Sequence, residues 1–410
     1  MKILALFSRL IIKKYQPQVI GITGSVGKTS TKEVLNFVLS NNFRVRSSMK
    51  NYNNEFGLPL SIIGVESPGK NPWGWIKVFW RAKKLLLLKD KNYPEILILE
   101  MGIDREGDMD YLLSIVKPNI GILTNISHSH LEYFGTLEKI KNEKSKLVKN
   151  LKKDGLAILN FDNKYLKELP KEIKSKCLTY GLEEGADFWA KDISLSLPDN
   201  LSSRDTFGIS FKLFYQGSVV PVFLPVVVSY HMVYSVLVSL AISSYFNLNL
   251  LEVSNHLKEI PPVPGRMEVL SGIKNSVIIN DAYNASPESA FSALKTMKEM
   301  KNNFAKKIFV LGDMLELGDY SKEGHYLVGE RAREAGVDIL ITIGEESLET
   351  ARGAIDTGLS EKNVFSFDNI EGVFDLVNEK ISERDVVLVK ASRGIGLDKL
   401  VEKLKKSLNG

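Results

Sequence analysis

The sequence predicts an α/β protein in two parts: a largely parallel sheet with an antiparallel annex, followed by a Rossmann-like, doubly wound C-terminal domain. Three observations carry that expectation. Short continuous apolar runs alternate with helical stretches through the first half, as strands buried on both faces require. Between about 187 and 228 the pattern turns to alternating strand-like segments with turn residues. After Pro261-Pro262-Val263-Pro264-Gly265 the alternation of buried strand and helix begins again.

Taken in order, residues 19–22 read as a buried strand leading into a glycine-rich loop, and residues 31–39 as the helix that follows. Residues 96–99 and 120–123 read as two further buried strands, each ending in polar residues, and residues 157–159 as a fourth. A helical pair is expected across 231–257. Beyond the proline-rich linker, strands are expected near 276–281, 307–311, 338–342 and 385–389, separated by helices. A chain of 410 residues exceeds one ordinary core, so the boundary is set at the linker, giving domains 1–260 and 261–410.

Two segments stand apart. Residues 1–17, MKILALFSRLIIKKYQP, hold an apolar run broken by Arg9 and followed by Lys13 and Lys14, with no small-residue cleavage site. That is too short to span a bilayer and fits a short amphipathic helix. Packing against the body is expected of it, with peripheral membrane contact as the alternative. Residues 73–88, WGWIKVFWRAKKLLLL, hold three of the four tryptophans among basic residues. An amphipathic helix using its aromatics as core is expected there, and a helix lying on a membrane is again the alternative.

Composition narrows the function classes. Hydrophobic content of 44% and charged content of 25% belong to a soluble globular protein. A net charge of +5 is mild for this length; it suits an anionic ligand, and no charge run resembles a nucleic-acid arm. The single cysteine, Cys177, excludes an internal disulfide framework and any multi-cysteine metal site, and a reducing cytoplasm is the expected compartment.

The chemistry begins at Gly24-Ser25-Val26-Gly27-Lys28-Thr29-Ser30. A strand, a glycine-rich turn, then Lys-Thr opening a helix puts backbone N–H groups and a helix N-terminus around a phosphate. Lys28 adds a cation for the outer phosphates, and the Thr29 hydroxyl is placed for Mg2+. The longest form of the motif has glycine where this chain has Ile22, so this is a shorter variant. It makes the first part a P-loop-type ATPase domain. Glu100 ends the run 96–99, at the carboxyl end of a strand where such sheets bind ligands, although acidic residues also end many strands as solvated caps. Residues 124–132, TNISHSHLE, gather His128 and His130 at the next strand end, as metal ligands, phosphate partners or simply a turn. The lysine-rich stretch 138–153 reads on composition as a solvated face.

These residues form a pattern. TGSVGKTSTKE (23–33), NYNNEFGLP (51–59), LEMG (99–102) and TNISHSHLEYFG (124–135) resemble the Mur ligases. PGRM (264–267), NDAYNASPES (280–289), VLGDMLELG (310–318) and VKASRGIG (389–396) look like the branch of that family that adds D-alanyl-D-alanine to a peptidoglycan precursor. The resemblance implies ATP-driven conversion of a carboxylate to an acyl phosphate, which an incoming amine attacks. Lys28 would hold the outer phosphates of ATP, and Thr29, Glu100 and His130 would serve two Mg2+ sites. Lys144, by its spacing from His130, matches the family's carbamylated lysine. Arg266 would contact the phosphates and Asp281 the ribose. Asn53, Asn54, Asn284, Lys390, Ser392 and Arg393 match positions near the substrates, a UDP-sugar peptide and an amine of the D-alanyl-D-alanine type.

The sequence departs from the family in three places. Lys146 stands where a glutamate is usual. Met232 and Ser235 replace two asparagines that lie near the nucleotide, which would alter adenine recognition. About twenty residues precede the loop, too few for the family's UDP-binding domain, so that grip is expected to be made differently or supplied by a partner. Two other readings compete: a Mur-type ligase with another carboxylate substrate, as in the folylpolyglutamate synthetases, and a non-catalytic ATP-binding partner subunit.

Overall fold

The computed structural model describes residues 2–49, 52–128, 131–196, 207–300 and 305–405, and two sheets organise them. The first is built on β1 (Gln18–Thr23), which lies between β3 (Ile96–Glu100) and β4 (Ile120–Leu123) and runs parallel to both. β2 (Val45–Ser47) extends the sheet beyond β3; β5 (Leu156–Asn160) and β6 (Lys176–Gly181) extend it beyond β4. The chain thus leaves β1 first to one side and then to the other, opening a crevice at its carboxyl end.

Both faces of this sheet are covered, which explains the uninterrupted apolar runs. Ile20, Ile22, Ile96 and Ile98 enter one core with Val34, Leu35, Val38 and Leu39 of the helix Lys28–Ser40. Val19, Leu97 and Leu99 enter the other, with Leu147 and Val148 of the helix Leu137–Lys149. The helix Tyr230–Tyr245 is apolar on nearly every side and is correspondingly buried. The expected antiparallel annex is present as β7 (Phe188–Ser196), β8 (Gly208–Tyr215) and β9 (Ser218–Pro225). It forms no separate layer: β7 pairs in parallel with β6 and prolongs the same sheet.

The second sheet has the spatial order β10 (Glu268–Ser271), β11 (Val277–Asp281), β15 (Val386–Lys390), β12 (Lys307–Gly312), β13 (Ile339–Ile343), β14 (Val364–Phe367). Only the β10–β11 pair is antiparallel. Four strands escape the sequence reading. β2, β6, β10 and β14 are short, half-exposed or at the sheet edge, and none carries a continuous apolar run to announce it.

The two segments singled out above are both helical. The first helix, Lys2–Tyr15, packs on the body through Leu4, Ala5 and Ile11. The tryptophan helix, Pro72–Leu87, starts at Asn71, whose side chain accepts from the amides of Trp73 and Gly74, with proline at its first position. Its aromatics follow the expectation only in part, for Trp75 and Phe79 pack against the core. Val78, Ala82 and Leu85 face inward, while Trp73 is 74% and Trp80 66% exposed.

Candidate active site

The loop after β1 is shaped by two glycines. Gly24 has φ 146°, and a β-carbon there would lie 1.9 Å from Thr124 Oγ1; Gly27 has φ 86° and opens the helix Lys28–Ser40. The adjoining β4 strand end braces the turn: the Asn125 carbonyl accepts from the Ser25 amide at 3.0 Å, and its side-chain oxygen from the Val26 amide at 2.7 Å. The Lys28 ammonium folds over the loop and donates to the carbonyls of Gly24 (2.8 Å) and Ser25 (3.3 Å). Burial pushes its pKa below the usual lysine range, with Glu100 acting in the opposite direction.

Glu100 is buried, not a solvated cap. Thr29 Oγ1 donates to its Oε2 at 3.1 Å, Asn53 Nδ2 to its Oε1 at 3.4 Å, and Arg266 Nη2 reaches Thr29 Oγ1 at 3.1 Å. A hydroxyl and a carboxylate held together beside a phosphate loop are hard oxygen donors of the kind Mg2+ takes. The residues present fit that ion.

Lys144 overturns the composition-based reading of its helix, because it is 1% exposed. Its Nζ donates to Ser25 Oγ at 3.0 Å, bringing the helix Leu137–Lys149 up to the loop. Burial and then the charge of Lys28 hold its pKa well below the ordinary lysine value. That favours the neutral amine, the form that adds CO2. Its neighbour Glu143 accepts from the amides of Gly107 (3.0 Å) and Met109 (2.9 Å), and Lys146 pairs with Glu143 and Asp110 at 2.6 Å each.

The second sheet contributes across the crevice. Asp281 and Lys390 end neighbouring parallel strands in register, and their side chains pair at 2.5 Å with Lys390 1% exposed. Lys390 also donates to the Asn284 carbonyl at 3.0 Å, and Asp281 accepts from the Met267 amide at 3.1 Å. The guanidinium groups of Arg266 and Arg393 lie 4.4 and 5.6 Å from the Tyr283 ring. Ser392 Oγ accepts from the Leu315 amide at 2.9 Å, tying the last motif to VLGDMLELG.

One cavity of about 390 Å³ unites these groups. Ser25 to Ser30, Asn53, Glu100, Arg266, Asp281, Asn284, Lys390, Ser392 and Arg393 all line it. Gly24 and Lys144 lie behind its wall. Asn54 stands just before the helix Gly57–Ile63, where its side-chain oxygen accepts from the amides of Phe56 and Gly57, and it lines a second cavity of about 890 Å³ that shares Thr29 with the first. His130 lies outside the described residues, and among those described no three His, Cys, Asp or Glu side chains cluster as metal ligands.

Several participants escape the sequence reading. Asn125, within a motif noted for its histidines, braces the loop. His128, whose role was left open, bridges the two halves: its Nδ1 is 3.3 Å from Glu288 Oε1 and its ring stacks on Tyr320 at 4.3 Å. His231 lines the cavity with its Nε2 enclosed and without a hydrogen-bond partner among the described residues, and burial, then Lys390 and Arg266, lower its pKa to about 4. Only tertiary placement separates such residues from ordinary turn residues.

Comparison with known proteins bears directly on this arrangement. The Mur ligase middle domain model matches residues 22–69 and 80–242, and the Mur ligase glutamate ligase domain model matches residues 265–393. The chain belongs to the Mur ligase family. It is an ATP-dependent ligase forming a carbon–nitrogen bond. The UDP-N-acetylmuramoyl-tripeptide–D-alanyl-D-alanine ligase of Bacillus subtilis is 29% identical over 397 residues, covering 97% of this chain and 78% of the relative. Its Escherichia coli namesake is 26% identical over 396 residues, covering 95% and 77%. Among solved structures, the MurF ligase of Thermotoga maritima in complex with ADP superposes with a TM-score of 0.78 at 29% identity, covering 98% of this chain and 82% of that one. Escherichia coli FolC, at 17% identity and a TM-score of 0.63, shares the fold alone.

In this Mur ligase the two departures on the helix Tyr230–Tyr245 both lie inside the fold. Met232 is buried, and Ser235 Oγ lies 3.2 Å from Thr31 Oγ1, joining the helix Tyr230–Tyr245 to the helix that starts at the phosphate loop. Ser235 thus serves helix packing.

Proposed function

We propose that this Mur ligase joins D-alanyl-D-alanine to the terminal carboxylate of a UDP-N-acetylmuramoyl-tripeptide, a cytoplasmic step of peptidoglycan assembly. The observation that carries the reading is the single cavity in which the phosphate loop of one sheet meets Arg266, Asp281 and Lys390 of the other. The names of the relatives supply the substrates.

A substrate carboxylate oxygen attacks the γ-phosphorus of ATP, the β–γ bridging bond breaks, and ADP leaves. The amine then attacks the acyl carbon; the carbon–oxygen bond to phosphate breaks, and the nitrogen loses a proton. Such chemistry asks the protein to position reactants and neutralise charge. Lys28 and the amides of residues 27–30 hold the phosphates, Arg266 adds a cation from the opposite side, and Asp281 takes the ribose hydroxyls. Asn53, Asn54, Asn284, Ser392 and Arg393 orient the substrates. Thr29, Glu100 and His130 would hold Mg2+, which supplies charge neutralisation at the phosphates. A carbamate on Lys144 would turn a buried amine repelled by Lys28 into an anion attracted to it. Residues 1–260 and 261–410 act as two domains whose closure keeps water from the acyl phosphate.

The test is phosphate release by purified protein offered UDP-linked tripeptide with D-alanyl-D-alanine, in parallel with lipid-linked and folate-type carboxylates. Release is expected with the first pair, and Lys28→Ala should lower it by about 10²–10³-fold while leaving the fold intact. Release only with another carboxylate would move the substrate assignment; release with none would make the chain a non-catalytic ATP-binding subunit.

A further inference from the structure

We propose that the first helix and the tryptophan helix together form a docking surface for an anionic lipid bilayer. The two run side by side in the same direction. The rings of Phe7 and Phe79 lie 6.2 Å apart between them. At their ends, Lys14 Nζ donates to the carbonyls of Leu85, Leu86 and Leu88 at 2.8–2.9 Å, and Tyr15 Oη to those of Leu85 and Leu88. Each buries one stripe, so the opposite stripes look outward on the same face.

Those outward stripes are apolar. On the first helix they are Ile3, Leu6 and Leu10, spaced by three and four residues, each 42–60% exposed. On the second they are Trp73, Ile76, Trp80 and Leu87, at one-face helical spacing and 56–74% exposed. A soluble monomer seldom leaves so continuous an apolar patch uncovered unless something binds it.

Charge decides what binds. Residues 1–18 and 67–89 contain ten lysines and arginines and no aspartate or glutamate, although the whole chain carries 49 acidic residues. Lys2, Arg9 and Lys13 border the first stripe; Lys77, Lys83 and Lys84 border the second. Interfaces with another protein are depleted in lysine, and a second copy of the chain docked by two-fold symmetry would set these cations against each other. An anionic bilayer takes every element of the pattern. Tryptophan rings sit at the headgroup level, aliphatic side chains enter the acyl boundary, and lysine stems reach back to phosphates. Among the described residues no helix is long and apolar enough to cross a membrane, so the pair lies on the surface. None of these outward residues lines either cavity, and the inference stands apart from the identity of the ligase's substrate.

Flotation of the full chain with phosphatidylcholine vesicles, with and without phosphatidylglycerol, tests it. Co-flotation is expected with the anionic vesicles at low salt, released as salt rises. The pair Trp73→Ala and Trp80→Ala should abolish it. Lys77→Ala or Lys83→Ala should each weaken it about fivefold. ATP-dependent phosphate release and the melting temperature should stay at wild-type values in all three variants. Failure to float with anionic vesicles, or flotation indifferent to these substitutions, overturns the proposal. A concentration-dependent dimer that Trp80→Ala dissolves would overturn it in favour of self-association.

Discussion

The two sheets build their halves of the cavity by opposite means. The first uses backbone: a turn possible only because Gly24 and Gly27 take positive φ, with amides and a helix N-terminus aimed at an anion. The second uses side chains from separate strands, centred on the Asp281–Lys390 pair at the ends of β11 and β15. Backbone geometry keeps its charge without a titratable group, whereas a buried ion pair depends on both partners remaining in place. The second half should therefore be the more fragile.

The largest effect expected from that contrast is at Lys390. Lys390→Met leaves Asp281 largely buried with, among the described residues, the Met267 amide alone to satisfy it, and should cost about 3–5 kcal/mol in urea denaturation. Lys149→Met removes an ammonium from the more exposed pair with Glu172 and should cost under about 1 kcal/mol. Equal losses in the two variants would remove the distinction between the halves.

The same contrast explains what the sequence could disclose. The phosphate loop is contiguous, and its mechanism can be read from seven residues with a strand before and a helix after. Buried strands such as β3 and β12 announce themselves by apolar runs, as do the polar residues that end them. Residues 281 and 390 are joined only by a strand order, with β15 inserted between β11 and β12, that no local pattern encodes. Family resemblance, not periodicity, pointed to them. Lys144 is the sharpest case: composition put it on a solvated face, and only the approach of its helix to Ser25 buries it. The tryptophan helix errs the other way in part: Trp73 and Trp80, expected inside, lie outside, while aliphatic Val78, Ala82 and Leu85 fill the inner face with Trp75 and Phe79 packed beside them.

Lys144 is next in size and belongs to the backbone-built half. Lys144→Ala should lower ATP-dependent turnover about 100-fold, the loss typical of misplaced catalytic geometry, with nucleotide binding retained. Acetate or another short carboxylate added to the assay should restore part of the rate by standing in for the lost anion. Full activity without any additive would remove the carbamate from the mechanism, and loss without rescue would leave Lys144 as the prop beneath Ser25.

The smallest effect joins the two halves. His231 sits on a helix of the first region, yet Lys390 and Arg266 of the second help burial hold its pKa down at about 4. A histidine so depressed is neutral in the fold while its unfolded counterpart, near 6.5, takes up a proton. Its contribution to stability is therefore complete above pH 6.5 and is lost as pH falls toward 4. At pH 5.5 the loss is about 1 kcal/mol relative to pH 7.5. His231→Gln should remove that increment from the difference between urea midpoints at the two pH values. In Lys390→Met the histidine should titrate at higher pH, followed by its ring resonances in NMR, because a nearby positive charge is gone. An unchanged titration there would mean that burial alone keeps His231 neutral and that the second half of the cavity does not reach the first through charge.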